Sequence, residues 1–179
     1  MHVLKCLLVS LTLSAVALAA QAAESGALHP QLEPLRPFLG RTWKGVFRNS
    51  TPQQPMIDVA RWERALNGQA VRVLHSINGG KYGGESIIRW DPERKSLVYH
   101  YFTTAGFMTE GTMTVKDGKM SSREVVKGAA QGVEEVRSTS EIRADGTLVS
   151  KSEYLKAGKW EPGHEITYRE APDARVDFE

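Results

Sequence analysis

The chain has 179 residues, 41% of them hydrophobic, and its 23 lysines and arginines against 21 acidic residues leave a formal net charge of +2. This is the length and balance of one globular domain rather than a disordered tail. It argues against a nucleic-acid partner, which would call for a basic excess gathered on one face, and no polybasic run occurs anywhere.

Residues 1–22 are laid out as a secretory signal peptide, with Lys5 near the start, an apolar run from Leu7 to Leu18, and Ala20-Gln21-Ala22 as a cleavage triplet. The apolar run is too short to span a bilayer. The expected mature chain therefore begins at Ala23, carries no membrane span and is periplasmic or secreted. Cys6, the chain's one cysteine, falls inside the removed segment, too early to be the acylated residue of a lipoprotein. The mature chain then has no thiol, so disulfides, thiolate metal sites, iron-sulfur clusters and cysteine nucleophiles drop out, and stability rests on the core.

Residues 23–40 form an N-terminal segment in which Leu32, Leu35 and Leu39 stand at near-helical spacing, while Pro30, Pro34 and Pro37 hold it to a short helical plug. Residues 41–179 read as one barrel domain. Strands are expected near 41–49, 56–66, 69–77, 85–91, 96–103, 107–116, 119–127, 133–143, 147–156 and 160–169. They are separated by turn signals that include Asn67-Gly68, Asp91-Pro92, Ala105-Gly106, Asp117-Gly118 and Asp145-Gly146. Ten consecutive hairpin-joined strands favour closure, because an open sheet would leave two edges bare. The expected fold is all-β: a ten-stranded, antiparallel, up-and-down barrel of lipocalin or calycin type, wide enough to enclose a cavity.

Turn type sets register, and register sets which alternate residues share a face. A type I′ turn at Asn67-Gly68 places Trp62, Val71, Val73, His75 and Ile77 together on the inward face. Ser86, Ile88 and Trp90 match Leu97, Tyr99 and Tyr101. A three-residue loop ending in Gly106 sets Tyr99 opposite Gly111 and leaves His100 and Glu110 outside as a solvated pair. The Asp117-Gly118 turn then carries Met120, Ser122, Glu124 and Val126 inward. For the last three strands we take the face of Arg137, Glu141, Leu148, Tyr154, Trp160, His164, Ile166 and Tyr168 as inward, because its final strand is the more apolar.

Gly40-Arg41-Thr42-Trp43-Lys44-Gly45 resembles the glycine-tryptophan signature that opens lipocalin-like barrels, with Trp43 closing the barrel floor. Leu28-His29-Pro30 through Phe38-Leu39-Gly40 is similar to the opening of nitrobindin-type haem barrels. The stretch from Trp90-Asp91-Pro92 to Tyr168-Arg169 resembles an uncharacterised bacterial family of secreted lipocalin-like barrels. Arg41 adds a residue between glycine and tryptophan, and Val46-Phe47 stand where nitrobindins continue their glycine pattern. Nitrobindins hold haem iron through a histidine on a late strand, so the resemblance implies His164 as an axial ligand in a haem alternative.

His164-Glu165-Ile166-Thr167-Tyr168 falls one residue short of the zinc-protease pattern and sits on a strand, not the helix that pattern needs. Asn78-Gly79-Gly80-Lys81-Tyr82-Gly83-Gly84 has no following helix to make it a phosphate cradle and reads as a flexible hairpin loop. The cavity candidates are thus Trp62, His75, Tyr99, Tyr101, Glu124, Arg137, Tyr154, His164 and Tyr168, with Arg137 the fork-shaped anchor for a ligand carboxylate or hydroxyl. No catalytic residue, metal site or cofactor is assigned. The function expected is an exported barrel holding a small apolar or amphiphilic ligand. The alternatives are the haem barrel through His164, or a small enzyme using Glu124 or His164 as acid or base.

Overall fold

A computed structural model of the chain describes residues 26–128 and 131–179; the expected signal segment lies outside them. A 3-10 helix, Pro30–Phe38, opens the described chain. His29 accepts a hydrogen bond from the Gln31 N–H, and the helix buries Leu32, Leu35 and Phe38. Ten strands follow: β1 Thr42–Phe47, β2 Ile57–Ala65, β3 Ala70–Ile77, β4 Tyr82–Asp91, β5 Ser96–Thr103, β6 Met108–Lys116, β7 Lys119–Lys127, β8 Val133–Ile142, β9 Leu148–Lys156 and β10 Lys159–Glu170. Each pairs antiparallel with the next, and β1 pairs with β10, closing the barrel.

Short-range turn chemistry sets the register from β2 to β7. At Asn67-Gly68 both residues have positive φ, and the Gln69 N–H donates to the Leu66 carbonyl, closing a tight turn that pairs Arg64 with Val71, Trp62 with Val73 and Ala60 with His75. Gly68 has no freedom to be another residue: its φ is +87°, and a Cβ there would strike the Ala27 carbonyl. Between β5 and β6 a three-residue loop ends in left-handed Gly106, pairing Thr103 with Phe107 and setting Tyr99 opposite Gly111.

The last three strands depart from the sequence reading. Asp145-Gly146 belongs to a three-residue loop, in which Arg143 and Thr147 pair, Gly146 takes φ +80° and Asp145 accepts from both the N–H and hydroxyl of Thr147. Ile142 therefore faces Leu148, and Val136 faces Tyr154. A two-residue turn would have shifted this register by one and turned the other face of β8 inward. Arg137, expected inside, lies on the outer face with its side chain half exposed, doubly bonded to Glu153 and stacked 4.4 Å over Trp160. Glu141 and Trp160 are outside as well, opposite Val149 and Leu155 respectively.

Trp160 is outside while His164, Ile166 and Tyr168 are inside because β10 carries a bulge between Pro162 and Glu165. Pro162 has no N–H to give to the ladder, and the His164 N–H is taken up by the Ser152 hydroxyl at 3.0 Å.

The plug helix covers the barrel end that holds the β2–β3 loop, where the His29 N–H donates to the Gly68 carbonyl. Trp43, Trp62, Val71, Ile88, Leu97, Met120 and Leu148 pack with it as the floor. The chain beyond β10 runs over the outer face of β3, where the Asp177 N–H reaches the buried Ser76 hydroxyl.

Candidate functional site

Above the floor the barrel encloses a cavity of roughly 1680 Å³. Its size follows from the inward residues. β7, β8 and β9 turn Ser122, Ser138, Ser140, Ser150 and Ser152 into the interior, and such small side chains cannot fill a barrel of this strand count. The rest of the lining is rich in aromatic rings. All five tyrosines of the chain, Tyr82, Tyr99, Tyr101, Tyr154 and Tyr168, line the cavity. Several rest on glycines of the adjoining strand: a Cβ on Gly45 would strike the Tyr168 ring, and one on Gly111 would stand 2.7 Å from the Tyr99 ring.

A continuous hydrogen-bond chain runs along this wall. Tyr168 donates to Asp58 Oδ2 at 2.8 Å, Asp58 Oδ1 lies 2.8 Å from His75 Nδ1, and His75 Nε2 lies 2.7 Å from the Tyr101 hydroxyl, which is 3.0 Å from that of Tyr82. Asp58 is 2% exposed, and this chain is what lets a carboxylate sit there. Each ring nitrogen of His75 has a partner in either protonation form, because the Tyr101 hydroxyl can accept as well as donate. Burial pushes the Tyr82, Tyr101 and Tyr168 hydroxyls above the ordinary phenol range, so they stand as neutral donors and acceptors.

Glu124 occupies the neighbouring stretch of wall. The Thr109 hydroxyl donates to it and Tyr99 bonds it as well. Burial pushes its carboxyl up, against the smaller opposing pull of those two hydrogen bonds. His164 stands near Tyr154, whose hydroxyl lies 2.6 Å from Nδ1, and the Phe47 ring meets it edge-on at 5.8 Å. Burial, its largest influence, lowers the His164 pKa and favours the neutral imidazole; the Asp58 charge opposes this and His75 adds to it.

The structure thus brings His75, Tyr99, Tyr101, Glu124, Tyr154, His164 and Tyr168 to one cavity, places Trp62 against Phe38 in its floor, and puts Arg137 outside. Asp58, Tyr82 and Thr109 belong to the wall and were not singled out in the sequence. The parity of β2 carried the signal for Asp58, which lies in step with Ala60 and Trp62. Tyr82 was hidden because Gly83-Gly84 reads as loop. In the structure these glycines are strand, with Tyr101 lying over Gly84 and Phe178 over Gly83. Among the described residues no group of three or more histidines, cysteines or carboxylates is placed to hold a metal ion.

No family model matches the chain, and no curated protein matches it. Among solved structures, the crystal structure of Rv2717c from M. tuberculosis is similar, at a TM-score of 0.57 and 15% sequence identity, over 81% of this chain and 99% of that one. At that identity the likeness shows the fold: a closed antiparallel barrel able to enclose a ligand.

Proposed function

We propose that the protein is an exported binding protein that holds a small, partly apolar molecule inside its barrel, akin to the secreted lipocalin-like barrels its sequence resembles. The observation that carries this reading is the cavity, roughly 1680 Å³ with an apolar floor and a hydroxyl-rich, carboxyl-bearing wall. Interiors that fold around nothing are packed with side chains, whereas ligand cavities combine apolar lining with a few placed polar groups. Export is supported by Lys5, the apolar run and Ala20-Gln21-Ala22. Native mass spectrometry of protein purified from its own host tests both parts. The expected result is a chain starting at Ala23 with a small molecule retained; an intact Met1 terminus and an empty barrel would count against both.

One observation favours haem as a second reading: His164 is held through Nδ1 by Tyr154 and has no hydrogen-bond partner at Nε2 among the described residues. Its imidazole would be the axial ligand, Phe47 would pack beside it, and a bound haem would supply iron chemistry at that wall. Reconstitution with haem, with the Soret band recorded for the parent and for His164→Ala, separates the readings. An unchanged band or no uptake leaves His164 as a wall residue.

A further inference from the structure

The charge inventory of the cavity points to the chemistry of its ligand, and this inference rests on the binding reading above. Following the ladder register around the barrel, the inward positions of the described strands hold two interior carboxyls, Asp58 and Glu124, with Glu161 exposed at the mouth, together with two histidines and the five tyrosines. Their cations stand only at the two ends. Arg64 is beneath the plug, bonded to the Ala27 carbonyl, and Lys156 and its ladder partner Lys159 are at the mouth. Between those ends no lysine or arginine occupies an inward position.

The two carboxyls are not equivalent. Asp58 is fully engaged, one oxygen with His75 and the other with Tyr168. Glu124 is not: its partners, the hydroxyls of Thr109 and Tyr99, are neutral. On the outer surface carboxylates do meet cations, as Glu110 meets Lys127 and Glu135 meets Arg123. Around Glu124 on the inner wall are Gly111 and Thr109 of β6, Val136 of β8, Tyr99 and Tyr101 of β5, and Tyr82 of β4. None can supply a positive charge. A buried carboxyl ringed by electron-rich aromatic faces and lacking a counter-ion is complementary to an organic cation. Lys156 already shows the contact, its ammonium lying 5.8 Å from the Tyr154 ring.

We propose that the ligand is an amphiphilic amine, its protonated nitrogen seated against Glu124 and the tyrosine rings and its apolar part lying toward Trp62, Val73 and Ile88. An anionic amphiphile of the same length would meet two carboxyls and no interior lysine or arginine, so the cavity disfavours it. The raised pKa of Glu124 agrees: burial penalises its anionic form, and a bound ammonium supplies the missing charge.

The test measures displacement of the neutral fluorescent probe N-phenyl-1-naphthylamine by decylamine, 1-decanol and decanoate at neutral pH. It uses the mature protein and its Glu124→Gln variant, with Glu110→Gln as an outer-face control. Decylammonium is expected to bind at least about tenfold more tightly than decanol, with decanoate weakest. In Glu124→Gln that preference should collapse, ammonium affinity falling by about tenfold or more while decanol changes far less. The order of the three ligands on the parent protein is decisive even if the variant does not fold. Probe and decanol binding with no ammonium preference, or with decanoate tightest, overturns the inference and leaves the binding reading standing. If neither the probe nor any of the three ligands enters, the binding reading fails and the inference with it.

Discussion

Replacing Asp58 with alanine is the sharpest test of how the interior wall is held. Both carboxylate oxygens are committed at 2.8 Å, one to His75 Nδ1 and one to the Tyr168 hydroxyl, in a residue that is 2% exposed. Hydrogen bonds to charged groups contribute about 1.5–3 kcal/mol each, and removing one member of a buried ionic arrangement costs about 3–5 kcal/mol, because the partners stay buried without it. Tyr168 is buried and its hydroxyl would lose the acceptor it bonds, so Asp58→Ala belongs in that upper range. For a domain of this size that corresponds to a fall in Tm of roughly 6–20 °C. Asp58→Asn keeps the shape and one acceptor, and should lose about half as much. Urea unfolding followed by tryptophan fluorescence reports both, and the double variant Asp58→Ala/Tyr168→Phe adds a coupling measurement. Because both residues serve one bond, their effects should fall short of additivity by about 0.5–3 kcal/mol. A loss below about 1 kcal/mol for Asp58→Ala, or strict additivity with Tyr168→Phe, would refute Asp58 as the centre of the network.

Glu124 sets a pH dependence of definite sign. Its folded pKa is raised above the unfolded value near 4.5, so the stability associated with its neutral form is present below that value and lost as pH rises through the folded pKa. Glu124→Gln, which is permanently neutral, should therefore unfold at higher urea than the parent at neutral pH, with the difference vanishing in acid. Gly45→Ala should destabilise by about 1–3 kcal/mol through overpacking, because its Cβ would press on the ring of Tyr168 and on Ile166 at 2.6 Å; thermal melts read this directly. Arg137→Ala should leave probe affinity in the cavity unchanged, since Arg137 bonds Glu153 on the outer face; a marked loss of affinity would reopen the register of β8.

How much of this was legible depends on how local the deciding interaction is. From β2 to β7 the turns decide, and Asn67-Gly68, Gly106 and Asp117-Gly118 each state their register within a few residues, which is why His75, Tyr99, Tyr101 and Glu124 could be placed inward from sequence. Asp145-Gly146 has the composition of a two-residue turn but forms a three-residue loop with Thr147 bonded to Asp145, and that single step moved Arg137 to the outer face. The β10 bulge depends on Ser152, a residue of another strand, so nothing near His164 in the sequence announces it. Asp58 is hard to read from the sequence for the same reason. A carboxylate at an inward position looks unfavourable until His75 and Tyr168, one of them at the far end of the chain, are brought beside it.

The seam between β1 and β10 governs when the molecule can come into being. Trp43, Gly45 and Phe47 pair with Glu170, Tyr168 and Ile166, so the barrel is joined by residues from opposite ends of the folded chain. Contacts this distant in sequence make for folding on the slow side, because the loop entropy is lost before the seam rewards it. Until β10 docks, the growing sheet carries two open edges able to recruit other chains. The same strand brings His164 and Tyr168, so Asp58 has no phenol to hold it and the wall is unfinished while the seam is open. Closure and site formation are thus one event, and lesions in β10 should act first on the yield of folded protein and only through it on binding.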